Sequence, residues 1–327
     1  MTKTAIARKY REEYGLEMPT LKLARIMYEK EKLTFTSVED CRTFLRAIEG
    51  KAWGRRPPNT LKVETRPKNP YNLPESYQEK REPLQLPLTC NNILLISDLH
   101  IPYHDIDAIT IALEYGVKHK INTIVINGDL IDLHKISRFQ SDPNKRSIKQ
   151  EFDATKQFLV VLRQIFPNAE IYWLKGNHCS RMEKYLLQKA QEIWDDPYFH
   201  LEERLRLNEE RIHLVDDKVL VKAGKLNITH GHHIFKGIFT PVSPARGAWV
   251  KAKQNIIVGH LHRSSHHVET DINGETTASW SLGCLCEKFP DYQPLVSNSQ
   301  HGFAHVIVEP NGDFSVKNYT IINGKLH

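Results

Sequence analysis

From residue 92 onward the chain alternates short apolar runs with longer amphipathic stretches. Residues 92–97, 123–127 and 169–174 are continuous apolar runs of strand length, the pattern of strands buried on both faces. Between them, residues 105–119 and 148–166 carry apolar side chains at helical spacing, and 181–187 opens a further helix. The second half is richer in strands: 211–215, 219–221, 226–229, 256–258, 266–271, 276–280, 303–308 and 314–321, interrupted by helical residues near 243–253. Such a chain predicts an α/β fold in which two mixed β-sheets pack together with helices on their outer faces, a four-layer α/β/β/α sandwich.

The N-terminal segment has a different pattern. Residues 3–14 are charged and periodic, and 20–31 place Leu21, Leu23, Ala24, Met27 and Tyr28 near one face after the start signal Pro19-Thr20. Thr36-Ser37-Val38-Glu39 predicts a capping box in which Thr36 caps and Glu39 reaches back. Val38, Cys41, Phe44, Leu45 and Ile48 then form a buried stripe, and Gly50 stops the helix. Residues 1–54 are therefore expected to be a small three-helix module, of a size that suits a helix-turn-helix but does not by itself make a DNA binder. Residues 55–88 hold seven prolines among charged residues and predict an extended linker, with the main domain over 89–327.

Composition adds four constraints. Hydrophobic content of 40% and charged content of 26% are ordinary for a globular protein. No stretch suits a signal peptide or a membrane helix, so a soluble cytoplasmic protein is expected. Five cysteines at 41, 90, 179, 284 and 286 are odd in number and scattered, which argues for free thiols in a reducing compartment. The charge is uneven: residues 1–70 hold 16 Lys/Arg against 9 Asp/Glu, which exceeds the whole chain's +6 and leaves about −1 for the rest. A local basic excess attracts phosphate backbones or an acidic partner, and it also fits solvated helix faces.

The chemistry lies in five short segments: Asp98-Leu99-His100, Gly128-Asp129, Gly176-Asn177-His178, Thr229-His230-Gly231-His232 and Gly259-His260-Leu261-His262. Each follows or closes an apolar run, so the five would converge if those strands share one sheet. Two metal ions a few Å apart supply what phosphoester hydrolysis needs, a hydroxide nucleophile at neutral pH and charge on the phosphoryl oxygens. Mixed imidazole, carboxylate and amide donors suit Mn²⁺, Fe or Zn²⁺ better than an all-oxygen Mg²⁺ cage.

The ordered set Asp-x-His, Gly-Asp, Gly-Asn-His, His and Gly-His-x-His resembles the calcineurin-like metallophosphoesterase superfamily. The spelling Ser97-Asp98-Leu99-His100-Ile101-Pro102-Tyr103-His104-Asp105 is similar to its phage and prophage members. The resemblance covers residues 92 to about 320 and implies two divalent ions, most naturally Mn²⁺, and a metal-bound hydroxide as nucleophile. It implies that Asp98, His100 and His262 bind one ion, that Asn177, His230 and His260 bind the other, and that Asp129 bridges them. His178 matches the histidine that assists the leaving group or holds the phosphate. Cys179 departs from the pattern, since Asp or Glu often follows Gly-Asn-His and favours the protonated histidine. Either another carboxylate substitutes, or His178 acts as a neutral donor. Asp132 could orient a ligand, Arg181 and Arg138 could meet a phosphate oxygen, and His104 could line the cleft. His232 and His233 read as surface histidines.

The favoured activity is hydrolysis of a phosphodiester in nucleic acid or a nucleotide, with DNA or RNA engaged through the basic module and the host cytoplasm as location if the gene is a phage's. A phosphomonoesterase acting on proteins or small metabolites stays open, although Gly128-Asp129-Leu130-Ile131-Asp132-Leu133-His134 lacks the Arg-Gly expected of protein phosphatases in this superfamily. A binding protein with a vestigial site is the remaining alternative.

Overall fold

The computed structural model describes residues 2–51, 69, 71–74, 76–79, 81–137, 147–235, 242–290 and 297–327. The chain divides into two compact units, Met1–Gln78 and Glu79–His327.

The first unit contains α1 (Lys3–Tyr14), α2 (Thr20–Lys30) and α3 (Val38–Ile48). Their apolar stripes meet in a core that includes Ile6, Tyr10, Leu23, Met27, Phe35, Cys41 and Leu45. The cap of α3 is shifted by one residue from the expected box. Ser37 Oγ accepts from the Asp40 amide at 3.0 Å, and the Asp40 carboxylate accepts from the Thr36 amide at 3.1 Å. Lys3 Nζ, 2.7 Å from Asp40, favours that register over the one through Glu39. Arg11 is buried against Glu49, and its Nη1 also donates to the carbonyls of Gly15 and Met18.

In the second unit the strands are β1 (Leu84–Gln85), β2 (Asn92–Ile96), β3 (Thr123–Asn127), β4 (Glu170–Leu174), β5 (Ile212–Val215), β6 (Val221–Ala223), β7 (Leu226–Thr229), β8 (Ile256–Val258), β9 (Ser265–Thr270), β10 (Thr276–Ser281), β11 (His301–Val308), β12 (Phe314–Ile322) and β13 (Lys325–Leu326). The helices are α4 (Ile106–Lys118), α5 (Ile148–Ile165), α6 (Arg181–Lys189), α7 (Leu201–Leu205) and α8 (Pro244–Ala252). A seven-stranded sheet has the order β13-β12-β11-β2-β3-β4-β5, and a six-stranded sheet has the order β1-β6-β7-β8-β10-β9.

Alternation along the strands builds the layers. Ile93 and Leu95 of β2, with Val125 of β3, pack on Val221, Ile228 and Ile257 of the other sheet. Leu94 and Ile96, with Ile124 and Ile126, face the opposite way and meet Leu113 of α4 and Leu159 and Leu162 of α5. Ala248 of α8 covers Ile256 and Val258 on the outer face of the six-stranded sheet. The expected α/β/β/α sandwich of two mixed sheets is therefore the observed fold. None of the described helices is long and apolar enough to cross a membrane.

Residues 55–68, 70, 75 and 80 of the stretch read as a linker lie outside the described residues. Its final part is not linker: Leu84 and Gln85 pair in parallel with Val221 and Lys222, and Leu86 is buried. The flanking Pro83 and Pro87 are compatible with this because β1 is an edge strand, with no second neighbour to receive the missing amide donors.

Candidate metal centre

The five segments meet where parallel strands end, but the strands come from both sheets and not from the single sheet expected, because the two sheets pack face to face with these ends side by side. Asp98 and His100 follow β2, Asp129 follows β3, and Asn177 and His178 follow β4 in the larger sheet; His230 follows β7, and His260 and His262 follow β8 in the smaller one. Within each sheet these strands run parallel, β2–β3–β4 and β7–β8, so their carboxyl ends lie on one edge of the sandwich.

The backbone there is left-handed at five of these residues. Asp98 (φ 56°), His100 (49°), Asp129 (43°), His260 (72°) and His262 (54°) all lie in a region that costs L-residues roughly 1–2 kcal/mol each. Such outliers persist where surrounding contacts hold them, and here hydrogen bonds do so. Asp98 Oδ2 accepts from the His260 amide at 2.9 Å and from Ser97 Oγ at 2.5 Å, and Asp129 Oδ1 accepts from the His178 amide at 2.8 Å. Two glycines admit the close approach. A Cβ on Gly128 would overlap the His230 ring, and one on Gly176 would overlap Asp129 Oδ1.

Besides the group of His100, Asp132 and His178, three donor groups result here among the described residues. The donor atoms of Asp98, His100 and Asp129 lie within 4.8 Å of one another, as do those of Asp129, His230 and His260, and those of His100, His262 and Cys286. Asp129 is common to the first two groups, and His100 to the first and third. Asp98 Oδ1 stands 3.3 Å from His262 Nε2 and 3.8 Å from His100 Nε2, and Asp129 Oδ2 stands 3.1 Å from His230 Nε2.

These residues fit a cation centre on chemical grounds. His100 Nδ1 is bound to Asp132 Oδ1 at 2.9 Å and His230 Nδ1 to the Asn127 carbonyl at 2.8 Å, which directs each Nε2 lone pair inward. His100 Nε2 and His262 Nε2 then face each other at 3.2 Å, a pair that needs a proton or a metal ion between acceptors. Asp98 Oδ1 and Asn177 Oδ1 are buried without a hydrogen-bond partner among the described residues. Burial disfavours charge on His100 and His230, but the carboxylates of Asp132 and Asp98, and of Asp129 and Asp98, outweigh it and raise each to about 9. Burial, with His230 beside it, lowers His260 to about 4, which leaves a neutral imidazole able to donate its lone pair. The site as a whole calls for positive charge.

The question raised by Cys179 has a geometric answer. Its thiol is buried in the apolar cluster under α4 and α5, and burial pushes its pKa up to about 12, so it carries no charge toward His178. Asp132 takes the carboxylate's place: its Oδ1 lies 2.8 Å from His178 Nδ1. Arg181 Nη2 lies 3.1 Å from His178 Nε2, and Nη1 donates to the Asp132 carbonyl at 2.8 Å. A guanidinium only donates, so Nε2 accepts and Nδ1 carries the proton toward Asp132. Burial lowers the pKa of His178, in keeping with this neutral tautomer.

Other positions fall elsewhere. His104 pairs through its backbone with Cys286 and lines a groove with Ile106, Ile109 and Leu113 of α4. Arg138 lies outside the described residues. His232, read as a surface residue, is largely buried against Asp217. Three neighbours gave no sequence signal: Cys286 Sγ and Ser299 Oγ lie 3.8 and 3.4 Å from His262 Nδ1, and buried Glu151 of α5 has its pKa raised to about 7 by burial and Asp132. Their partners are distant in sequence, and no motif spacing could reveal them.

The chain is similar to several known proteins. A family profile described as calcineurin-like phosphoesterase matches residues 92–287. The Gene 54 proteins of mycobacteriophages L5 and D29 are each 25% identical, over 66% and 67% of this chain and 89% of each relative. Among solved structures, Vacuolar Protein Sorting 29 from Cryptosporidium parvum is 17% identical, with 72% of this chain and 94% of that one covered at a TM-score of 0.39. YfcE, a phosphoesterase from E. coli, is 14% identical, with 69% and 98% covered at a TM-score of 0.34. With more than half of its length matched by the family profile, the chain belongs to the calcineurin-like phosphoesterases, a family of metal-dependent phosphoester hydrolases.

Proposed function

We propose that the donor groups hold two divalent cations, with Asp98, His100 and His262 on one, Asn177, His230 and His260 on the other, and Asp129 shared between them. The observation that carries this reading is the membership of Asp129 in two adjoining donor groups. A shared carboxylate offsets the repulsion between two cations held a few Å apart. Mn²⁺ is the favoured metal, with Fe or Zn²⁺ as alternatives, because the donors mix imidazole, carboxylate and amide oxygen. Such a pair, when bound, lowers the pKa of an attacking water and neutralises charge on the phosphoryl oxygens.

The chain's own residues do the rest. Asp132 fixes the tautomers of His100 and His178 through one oxygen. His178 holds Arg181 at its Nε2, which places a permanent cation at the edge of the centre. The fixed charge for the transition state then comes from Arg181, and His178 acts as a neutral positioning and hydrogen-bonding group.

The substrate proposed is a phosphodiester of nucleic acid or a nucleotide, engaged by an N-terminal module in residues 1–54, in a cytoplasm that would be a host's if the gene is phage-borne. The phage relatives and the basic excess of residues 1–70 support it. The helices hold only part of that excess: residues 2–51 carry 11 Lys/Arg against 8 Asp/Glu, and Arg11 is buried against Glu49. Residues 52–70 carry 5 Lys/Arg against 1 Asp/Glu, so phosphate contacts are expected to draw strongly on that stretch.

The test is a comparison of the Mn²⁺-loaded protein on a chromogenic phosphodiester, the matching monoester, and labelled single- and double-stranded DNA and RNA. Turnover of the diester and nucleic acids that is lost in Asp129→Asn is expected; turnover that survives it refutes the shared carboxylate. Preference for the monoester overturns the diester reading. A form starting at residue 79, which keeps β1, should bind nucleic acid more weakly and with a shallower salt dependence. Equal binding refutes the role of the N-terminal segment.

A further inference from the structure

Asp217 lies in the turn between β5 and β6, where the chain crosses from the larger sheet to the smaller one. His232 and His233 lie in the turn just after β7. Both imidazoles aim Nε2 at the same oxygen, with Asp217 Oδ2 at 3.2 Å from His232 and 3.3 Å from His233. All three donor atoms lie within 4.8 Å of one another, and none belongs to the groups around Asp129.

We propose that Asp217, His232 and His233 form a separate site for one divalent cation of the Zn²⁺ class, which clamps the β5–β6 turn to the segment after β7. Two imidazoles and a carboxylate are a donor set that Zn²⁺ accepts, with a fourth position left to water. Ligands at about 2.0–2.1 Å in a tetrahedron stand about 3.3–3.4 Å apart, so the two N···O separations already match tetrahedral edges. Burial is graded in the way an accessible site requires: the side chains of Asp217 and His232 are 9% and 8% exposed, and that of His233 is 41% exposed. Ser180 Oγ donates to the same Asp217 Oδ2 at 3.3 Å and helps hold the carboxylate in place. An ordinary surface ion pair does not explain His232. Its ring is nine-tenths buried, its Nδ1 has no hydrogen-bond partner among the described residues, and its centroid lies 3.9 Å from that of the adjacent, tilted imidazole that competes for the same oxygen. Two neighbouring rings that share one acceptor oxygen gain more from a cation between the donors than from two protons. His232 also lies 5.4 Å, centroid to centroid, from His230, so the clamp would brace the segment that carries that residue.

The test counts metal. The full-length protein, His233→Ala and Asp217→Asn are dialysed against Zn²⁺ and then buffer, and bound Zn²⁺ per chain is measured by elemental analysis. Each variant should retain one equivalent fewer than the wild type, and its melting midpoint should rise less on Zn²⁺ addition. Titration with Co²⁺ should show a visible tetrahedral band that is weaker by one equivalent in His233→Ala. Equal Zn²⁺ content and equal Co²⁺ titrations in wild type and His233→Ala overturn the proposal; if Asp217→Asn fails to fold, the half-exposed His233→Ala decides alone. The difference is read whatever the total. Wild type at one equivalent and His233→Ala at none would support this site and refute the paired centre at Asp129.

Discussion

Asp132→Asn is the most informative single change, because one buried oxygen holds two imidazoles of the centre. Asp132 Oδ1 lies 2.9 Å from His100 Nδ1 and 2.8 Å from His178 Nδ1, and the side chain is buried. Those hydrogen bonds hold the carboxyl far below the usual carboxylate range although burial opposes its charge. The amide keeps the shape and one acceptor oxygen but loses the charge. Loss of such a partner to a metal-bound histidine typically costs about 10–100-fold in metal affinity or activity. At about 1.4 kcal/mol per tenfold this is roughly 1.4–2.8 kcal/mol, and the double engagement places the expectation toward the upper end. Asp132→Ala should be worse, since it strands the buried His100 Nδ1–H at about 1–3 kcal/mol and leaves His178 Nδ1 only the Asp132 carbonyl at 3.1 Å. Mn²⁺ affinity by titration calorimetry and kcat/KM on a chromogenic diester are the readouts, with the melting midpoint as a control for folding. A folded Asp132→Asn protein with wild-type Mn²⁺ affinity and kcat/KM would refute the positioning role.

Three further outcomes follow from the same geometry. Gly128→Ala should keep the fold by circular dichroism yet lose Mn²⁺ binding, because its φ of 87° strains an L-residue and its Cβ would displace the His230 ring; unchanged binding would refute the close packing. Cys179→Ala should leave the pH–rate profile unchanged, since a thiol pushed up to about 12 is neutral across the working range, whereas Cys179→Asp should lower the melting midpoint by burying a carboxylate in an apolar cluster. Glu49→Gln should destabilise the helical unit by about 3–5 kcal/mol, read as lost hydrogen-exchange protection in α1–α3, because it leaves buried Arg11 without its carboxylate. Burial disfavours the Glu49 carboxylate, but hydrogen bonds from Arg11, Thr20 and Lys51 outweigh it and hold its pKa below the ordinary value. Its contribution is therefore full above the unfolded carboxylate's pKa and lost as pH falls through the lower folded value. Protection of α1–α3 should fall with acid in the wild type and fall less in Glu49→Gln, where Asp40, held below its ordinary value by Lys3, still titrates.

Local pattern carried the elements and the residues that meet at the candidate centre. The parallel strands read as unbroken apolar runs because helices and the second sheet cover both their faces. The donor residues were readable because strand ends on a shared edge repeat a small vocabulary, Gly-Asp, Gly-Asn-His and Gly-His-x-His. Where local rules competed they misled by small amounts. Ser37 displaced Thr36 as the cap of α3, and prolines hid a strand at Leu84–Gln85 that an edge position tolerates.

Tertiary structure alone decided which atom faces which. Asp132 serves His100 and His178, 32 and 46 residues away, through a single oxygen. Arg181 presents its guanidinium to His178 because the first turn of α6 returns over the β4 end, and Asp217 gathers two histidines across the passage between the sheets. Periodicity and motif spacing report the burial and turn preferences of neighbouring residues, which depend on a few bonds. The tautomer of an imidazole, the charge of a carboxylate and the donor set around a cation depend on groups brought together by chain closure, and that closure is fixed only when the two sheets pack.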